Sequence, residues 1–487
     1  MRGRASVVGL AVALAVAAAC TSGTGHPNTV APTGGRLTGV VPLRAASPTK
    51  LASACAGPAV SSQPGAPASL GLTRGDATMP VWSAGPDVAV LAAGDGLALA
   101  QAFGSSSAGS CLIGLSPDTG ATLWSWPSGH PRLVMNAELS TRLALVATGD
   151  FHDNGNAMSY AATNRLTGLD PQTGAQLWTL SLADDGQGVP AGVDGTVVVV
   201  AEQDGTVVGL DAHTGHLLWM QRRPVDCAVT GTSDLTPAAV LLSATPPTVL
   251  YPCTAQQQVA RLDPTTGRSV WTSRLPAGWT LDGTSAAVAT GVIAVVGSGP
   301  GETTARHRNA SGAPPGYETV ALLGLQVDTG RVTWQVDGLT QGSAVTTAGN
   351  LLAVVDSFAV TALRPADAAQ VWRWQPVVPA TPDSNTAMRV AISGAQLYAI
   401  DDTAAASAIP RESTTYRSAP GTFQLDTLDV TSGRVLSTRP LPAYYGGDQG
   451  VVVSPSAPPS VAGVSGTDVF VNPGGGADGV VETFTTA

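Results

Sequence analysis

The sequence predicts an all-β chain, an eight-bladed β-propeller of four-stranded antiparallel blades, with seven blades as the alternative count. Three observations lead there. A short phrase recurs along the chain, from SPDTGATLW ending at Trp124 to DPQTGAQLW at Trp178, DAHTGHLLW at Trp219, DPTTGRSVW at Trp271 and QVDTGRVTW at Trp334. Two worn copies follow, RPADAAQVW ending at Trp372 without its glycine and DVTSGRVLS with Ser437 in the tryptophan position. The composition also favours strands and turns, with Gly 57, Pro 36 and only 12% charged residues among 487, the apolar remainder being mostly short runs of Val, Ala and Leu. Finally, the cleanest unit, residues 188–220, is cut into four short apolar runs by Asp194-Gly195, Asp204-Gly205 and His213-Thr214-Gly215, and Asx-Gly between β-branched runs marks a hairpin because glycine takes the positive φ of a tight turn.

The N-terminus comes first in chain order. Arg2 and Arg4 precede an uncharged run to Ala19, which reads as a signal peptide over 1–19, its apolar part too short for a bilayer span. Cys20 follows Ala17-Ala18-Ala19, the place where a lipoprotein signal peptidase leaves a lipidated cysteine. The expected location is therefore extracytoplasmic, anchored to the cell membrane through Cys20, with cleavage at the A-x-A site and secretion as the alternative. Residues 20–78 are rich in Ala, Gly, Pro, Ser and Thr without a sustained apolar period, and are read as a disordered tether. The propeller is assigned to 79–487.

Within each unit the recurring phrase is the hairpin from the third strand to the fourth. Leu169 is expected to face the core, Asp170 to bond forward to turn amides, Pro171 to preset φ, and Gly174 to supply a left-handed residue. The tryptophans Trp124, Trp178, Trp219, Trp271, Trp334 and Trp372 then fall on the outermost strand, where an aromatic side chain packs across to the next unit. They are read as structural, with Trp178, Trp219 and Trp271 expected to be largely buried. The repeated Asp is turn chemistry rather than an array of catalytic carboxylates. TDVFVNP and GVVETFT near the C-terminus read as second and third strands lacking a hairpin of this kind, and MPVW, with Trp82, supplies a fourth strand from the other end to close the ring.

Charge and cysteine content limit the chemistry. A net charge of −10 without an arginine cluster argues against a nucleic-acid partner. With Cys20 assigned to lipid, Cys55, Cys111, Cys227 and Cys253 remain for two possible disulfides in an oxidising compartment. Their placement suggests Cys227 with Cys253 and Cys55 with Cys111. A zinc site would need closer spacing, and His213 and His216 flank a turn. Asn309-Ala310-Ser311 is a glycosylation triplet that is read as loop.

Length variation is loaded on the connections between second and third strands: 105–110, 150–165, 298–318 and 401–421 against the bare Asp204-Gly205 turn. Long loops on a rigid scaffold are where binding usually resides. The candidate binding face accordingly carries Arg306, His307, Arg308, Arg411, Tyr416 and Arg417.

A strand followed by LDxxTGxxxW, repeated over roughly 79–487, resembles the pyrroloquinoline quinone (PQQ) repeat of quinoprotein dehydrogenase propellers and of the outer-membrane assembly factor family. The resemblance implies the fold, and with the anchor it implies a non-catalytic extracytoplasmic propeller, an expected monomer that binds a protein, glycan or small ligand. No catalytic residue, cofactor or metal ligand is assigned. The alternatives are a PQQ- and calcium-dependent dehydrogenase, for which Asp150, Asp153, Asn154 and Asn156 would be the ligand candidates, and another enzyme built from propeller loops. The adjacent cysteine pair common in quinoproteins is absent, as are G-x-S-x-G, P-loop and H-E-x-x-H patterns.

Overall fold

The computed structural model describes residues 82–83, 88–94, 96–103, 110–127, 132–150, 152–153, 158–159, 163–181, 191–193, 196–201, 206–221, 239–241, 246–253, 257–298, 319–340, 343–356, 359–376, 390–402, 416–417, 423–440, 445–446, 460–465, 468–472 and 482–485. The expectations on Cys20, Cys55, Cys227, Asn154, Asn156, Arg306, His307, Arg308 and Arg411 lie outside them. Among the described residues every regular element is a β-strand, and no helix is long and apolar enough to cross a membrane.

The strands form an all-β propeller. Seven blades are four-stranded antiparallel meanders of consecutive strands, blade 1 over 88–127, then 132–181, 191–221, 239–274, 280–340, 344–374 and 390–440. This corrects the expected count of eight and agrees with the alternative of seven. A further four-stranded sheet is composite: Ser460–Ser465, Asp468–Asn472 and Glu482–Thr485 run side by side and Trp82–Ser83 pairs with the last of them. Innermost strands touch those of adjacent blades from blade 1 round to blade 6, and the composite sheet's Ser460–Ser465 touches the first strands of blades 7 and 1. Blades 6 and 7 share a cluster that includes Trp372, Trp374, Leu397 and Leu428.

Blade 3 shows why the second strands read as unbroken Val runs. In Val197–Ala201, Val198 and Val200 pack into the cluster shared with blade 2, whereas Val197 and Val199 pack into the cluster shared with blade 4. A strand sandwiched between two blades has no solvent face, so both side-chain rows are apolar. Each fully buried valine contributes about 1.5 kcal/mol or more.

Two small ribbons decorate the same strand ends. His152–Asp153 pairs with Met158–Ser159 inside the second-to-third connection of blade 2. Tyr416–Arg417, within the corresponding connection of blade 7, pairs with Tyr445–Gly446, which lies in the segment leaving that blade.

Candidate functional site

The recurring phrase builds one joint, used six times. In DPQTG, the Asp170 carboxylate accepts bonds from the amides of Gln172 and Thr173, both 2.9 Å, and from the Thr173 hydroxyl at 3.0 Å. Backbone bonds close the loop, Gly174 N to Asp170 O and Asp170 N to Ala175 O, each 2.8 Å. Gly174 sits at φ +67, where a Cβ would be penalised. Asp211, Asp263 and Asp429 repeat the cap with Thr214, Thr266 and Ser432. The bonds donated by Thr214 and Ser432 hold the Asp211 and Asp429 carboxyls below the usual range.

This turn receives the preceding blade's tryptophan. Trp124 Nε1 donates to Pro171 O at 2.9 Å, Trp178 to Ala212 O at 2.8 Å, and Trp219 to Pro264 O at 2.8 Å. The series continues with Trp271 to Val327 O at 2.8 Å, Trp334 to Pro365 O at 2.7 Å and Trp372 to Val430 O at 2.8 Å. In each case the acceptor is the residue immediately after the turn's first residue. In four of these turns the amides are capped by Asp170, Asp211, Asp263 or Asp429, while Gln326 and Arg364 begin the other two; in all six the next carbonyl points at the neighbouring blade. The turn glycine presents a bare face to the indole: a Cβ on Gly215 would lie 2.7 Å from Trp178 Cγ, and one on Gly174 would lie 2.6 Å from Trp124.

A second glycine escaped the sequence reading. Gly114, Gly168, Gly209 and Gly324 lie on third strands opposite their own blade's tryptophan. A Cβ at Gly168 would approach Trp178 Cε2 to 2.3 Å. The signal was present as a glycine just before the Leu that precedes the turn, as in LTGLD. Blade 4 departs from it with Arg261, which is buried. Its Nη1 lies 3.3 Å from Val327 O, the acceptor Trp271 already uses, and its Nε has no partner.

The three tryptophans expected to be largely buried differ in degree. Trp178 and Trp271 are buried, but Trp219 is only half-buried, as is Trp334. Where the residue two places beyond the tryptophan is large and buried, as with Trp126, Leu180 and Trp374, it covers the indole's neighbourhood. Blade 3 has Gln221 there and blade 5 has Val336, neither fully buried. Blade 4 has Ser273, and Arg261 fills the opposite side of Trp271 instead.

The strands expected from the two ends of the propeller pair in the composite sheet. Trp82 lies opposite Thr483 on the third strand, the place that Trp178 occupies opposite Gly168.

At the other ends of the strands lie the long connections. Phe103 and Ser110, Gly149 and Thr163, Gly297 and Ala321, and Asp402 and Phe423 are paired across the mouths of the second-to-third connections. Meander strands alternate direction, so these mouths face away from the docking turns. The backbone of Tyr416 and Arg417 is held there by the ribbon with Tyr445 and Gly446. Cys111 and Cys253 sit on the paired strands beside the same mouths; Cys111 is disulfide-bonded, with its partner outside the described side chains.

Among the described residues, buried polar groups near this end occur in several blades, Gln101, Thr148, Thr206 and Asp356 among them, and blade 7 adds a pair of carboxylates. Asp401 and Asp426 are both buried on adjacent strands. Gln424 Nε2 donates to Asp401 Oδ2 at 3.2 Å, and the Thr438 hydroxyl donates to Asp426 Oδ1 at 2.7 Å. Burial, with a smaller push from the Asp401 charge, raises the Asp426 carboxyl despite the bond from Thr438. Among the described residues no cluster of three or more His, Cys, Asp or Glu is arranged to hold a metal. His213 and His216 are exposed on their turn; the backbone of Asp150 ends the second strand of blade 2, and that of Asp153 lies in the small ribbon inside the insertion.

Comparison of the whole chain with known proteins shows its family. The family described as "Outer membrane protein assembly factor BamB" matches residues 108–251 and 255–482. The chain belongs to this family. Among solved structures, it is similar to BamB from Moraxella catarrhalis at 18% identity, covering 84% of this chain and 99% of that one with a TM-score of 0.47. A computationally designed protein, Ika8, aligns at 14% identity, covering 82% of this chain and 98% of that one, TM-score 0.48. Quinohemoprotein alcohol dehydrogenase from Comamonas testosteroni aligns at 12% identity over 63% of this chain and 61% of that one, TM-score 0.39. No curated protein matches the chain.

Proposed function

We propose that the chain is a non-catalytic scaffold, an extracytoplasmic propeller that holds a protein partner against the membrane to which Cys20 anchors it. The observation that carries this reading is the division of labour between the two ends of the strands. The docking turns are consumed by inter-blade bonding, whereas the opposite end carries four extended connections, one of them tied by the Tyr416–Arg417 ribbon to the segment leaving blade 7. A rigid ring with variable loops on one face suits recognition of a macromolecule, and a family described as an assembly factor supports a protein over a glycan or small ligand.

In this reading the composite sheet serves as an eighth blade that closes the ring, and Arg306, His307, Arg308, Arg411, Tyr416 and Arg417 supply the polar contacts. Cys227 with Cys253 would brace the loop face, and Cys55 with Cys111 would pin the tether to it. The PQQ- and calcium-dependent dehydrogenase reading has no described ligand set behind it.

The test is capture from native membranes with the full chain and with variants in which 301–316 or 404–419 is trimmed to a Gly-containing turn. Loss of the captured protein in a variant that retains its melting transition supports the scaffold reading. Unchanged capture by both would remove the loop face from it. Dye-linked turnover of alcohols or sugars on adding PQQ and calcium would overturn it in favour of the dehydrogenase.

A further inference from the structure

Among the described residues, one junction of the propeller is built unlike the six that carry a docked tryptophan. Six blades end on a fourth strand whose tryptophan reaches a carbonyl on the next blade's turn. Blade 7 ends on Val435–Pro440, where Ser437 stands opposite Thr427 at the position of Trp178 opposite Gly168. Ser437 is exposed, and the strand is exposed at every position except a partly buried Arg439. The corresponding strand of blade 6 buries Trp372 and Trp374.

The receiving side is equally unusual. The sheet that follows blade 7 is the composite one, whose third strand, Glu482–Thr485, is joined to its fourth, Trp82–Ser83, by two residue pairs and by no hairpin. A meander blade draws on its connecting turn to keep the outer strand in place at little entropic cost; here the outer strand is held by its ladder bonds and by whatever Trp82 contacts. The loss of the tryptophan and the loss of the turn fall on the same junction, so an indole at 437 would have no docking turn to meet.

We infer that the junction between blade 7 and the composite sheet is a built-in seam, the place where the ring opens first, with Trp82–Ser83 as its latch. Each of the other six joints combines a buried or half-buried indole with a hydrogen bond to the carbonyl of a buried residue, so separating two such blades exposes an aromatic ring and orphans an acceptor. Opening at Ser437 does neither. Local opening in proteins follows the fewest buried contacts; on its outer strand the seam lacks the buried indole, while the inner strands of blade 7 still touch Ser460–Ser465. Release of the latch would free the edge of Glu482–Thr485 beside the already exposed edge of Val435–Pro440, two unpaired strand edges at one site. The inference rests on the composite sheet being the blade that closes the ring.

Amide hydrogen exchange on the full chain tests it. Amides of Val435, Leu436, Ser437, Thr438 and Arg439 and of Glu482–Thr485 are expected to exchange at least ten-fold faster, relative to their intrinsic rates, than those of Gln370–Trp374 in blade 6. In W82C/T483C, whose cysteines are register partners, the oxidised form is expected to slow Glu482–Thr485 to the blade 6 range and to raise the melting temperature; the reduced form is the control. Equal protection of the seam and blade 6 strands would overturn the seam while leaving the closing blade intact. Failure of the two cysteines to bond under oxidation would overturn the composite blade itself, and the seam with it.

Discussion

The indole Nε1 of Trp178 donates to the carbonyl oxygen of Ala212 at 2.8 Å, across 34 residues of chain and from one blade to the next. Both groups are buried, so each depends on the other for its hydrogen bond, and the ring face rests on Gly215. Packing and polar satisfaction can be separated here. Trp178→Ala is expected to cost about 3 to 5 kcal/mol in chemical denaturation, while Trp178→Phe keeps most of the packing and loses about 1 to 3 kcal/mol through the orphaned carbonyl. Equal costs for the two would show that the hydrogen bond, not the packing, carries the joint.

The glycine facing the indole makes a reciprocal prediction. Blade 6 carries Ala368 at φ +55 where other turns have glycine, and the Trp334 it receives is only half-buried. Gly215→Ala combines about 1 kcal/mol of left-handed strain with about 1 kcal/mol for the displaced indole. It should therefore lower stability by about 2 kcal/mol. Ala368→Gly should raise it, by up to about 1 kcal/mol after the added freedom of the unfolded chain is deducted. Melting curves of the two variants check the opposite signs.

Asp426 gives a pH signature. Its carboxyl titrates higher in the folded protein than in the unfolded chain because burial, more than the nearby Asp401, disfavours its charge. Between the unfolded value and the raised folded one the native state binds the extra proton, so this group's contribution is full below the unfolded value and declines as pH rises through the folded one. Asp426→Asn keeps the acceptor for Thr438 and removes the charge. It should raise the melting temperature at pH 7, with the gain shrinking as pH falls toward 4. A gain of the same size at both values would assign the effect to something other than ionisation.

The anchor is tested at Cys20. Cys20→Ala should leave the chain unprocessed or released from the membrane fraction, since a diacylglyceryl group supplies two chains where one gives only marginal affinity. Mass spectrometry of the mature N-terminus is the direct reading, and an unmodified Cys20 there would return the chain to the secreted class.

Much of the joint was legible in DPQTGAQLW because its parts are local. The Asp cap, the left-handed glycine and the outermost position of the tryptophan follow from residues within a few places of one another, where turn chemistry operates without tertiary context. The glycine in LTGLD escaped because a missing side chain says nothing until the indole that fills its place is known. Burial of Trp219 could not be read from its own phrase either. It depends on Gln221 and on the neighbouring blade, whereas Trp271 gains cover from Arg261, a residue that breaks the repeat.

What the sequence by itself determined is the all-β class, the hairpin and its cap, the segregation of length variation, and the strands contributed by both ends of the propeller, since each is written in periodicity or turn residues. The tertiary structure decided which carbonyl each indole reaches, which apolar row faces which neighbour, and that Ser437 and the hairpin-less pairing of Trp82 with Thr483 belong to one junction. Those relationships link residues tens to hundreds of positions apart. They come into being when the ring forms, because only the packing of one blade against the next brings such residues within bonding distance.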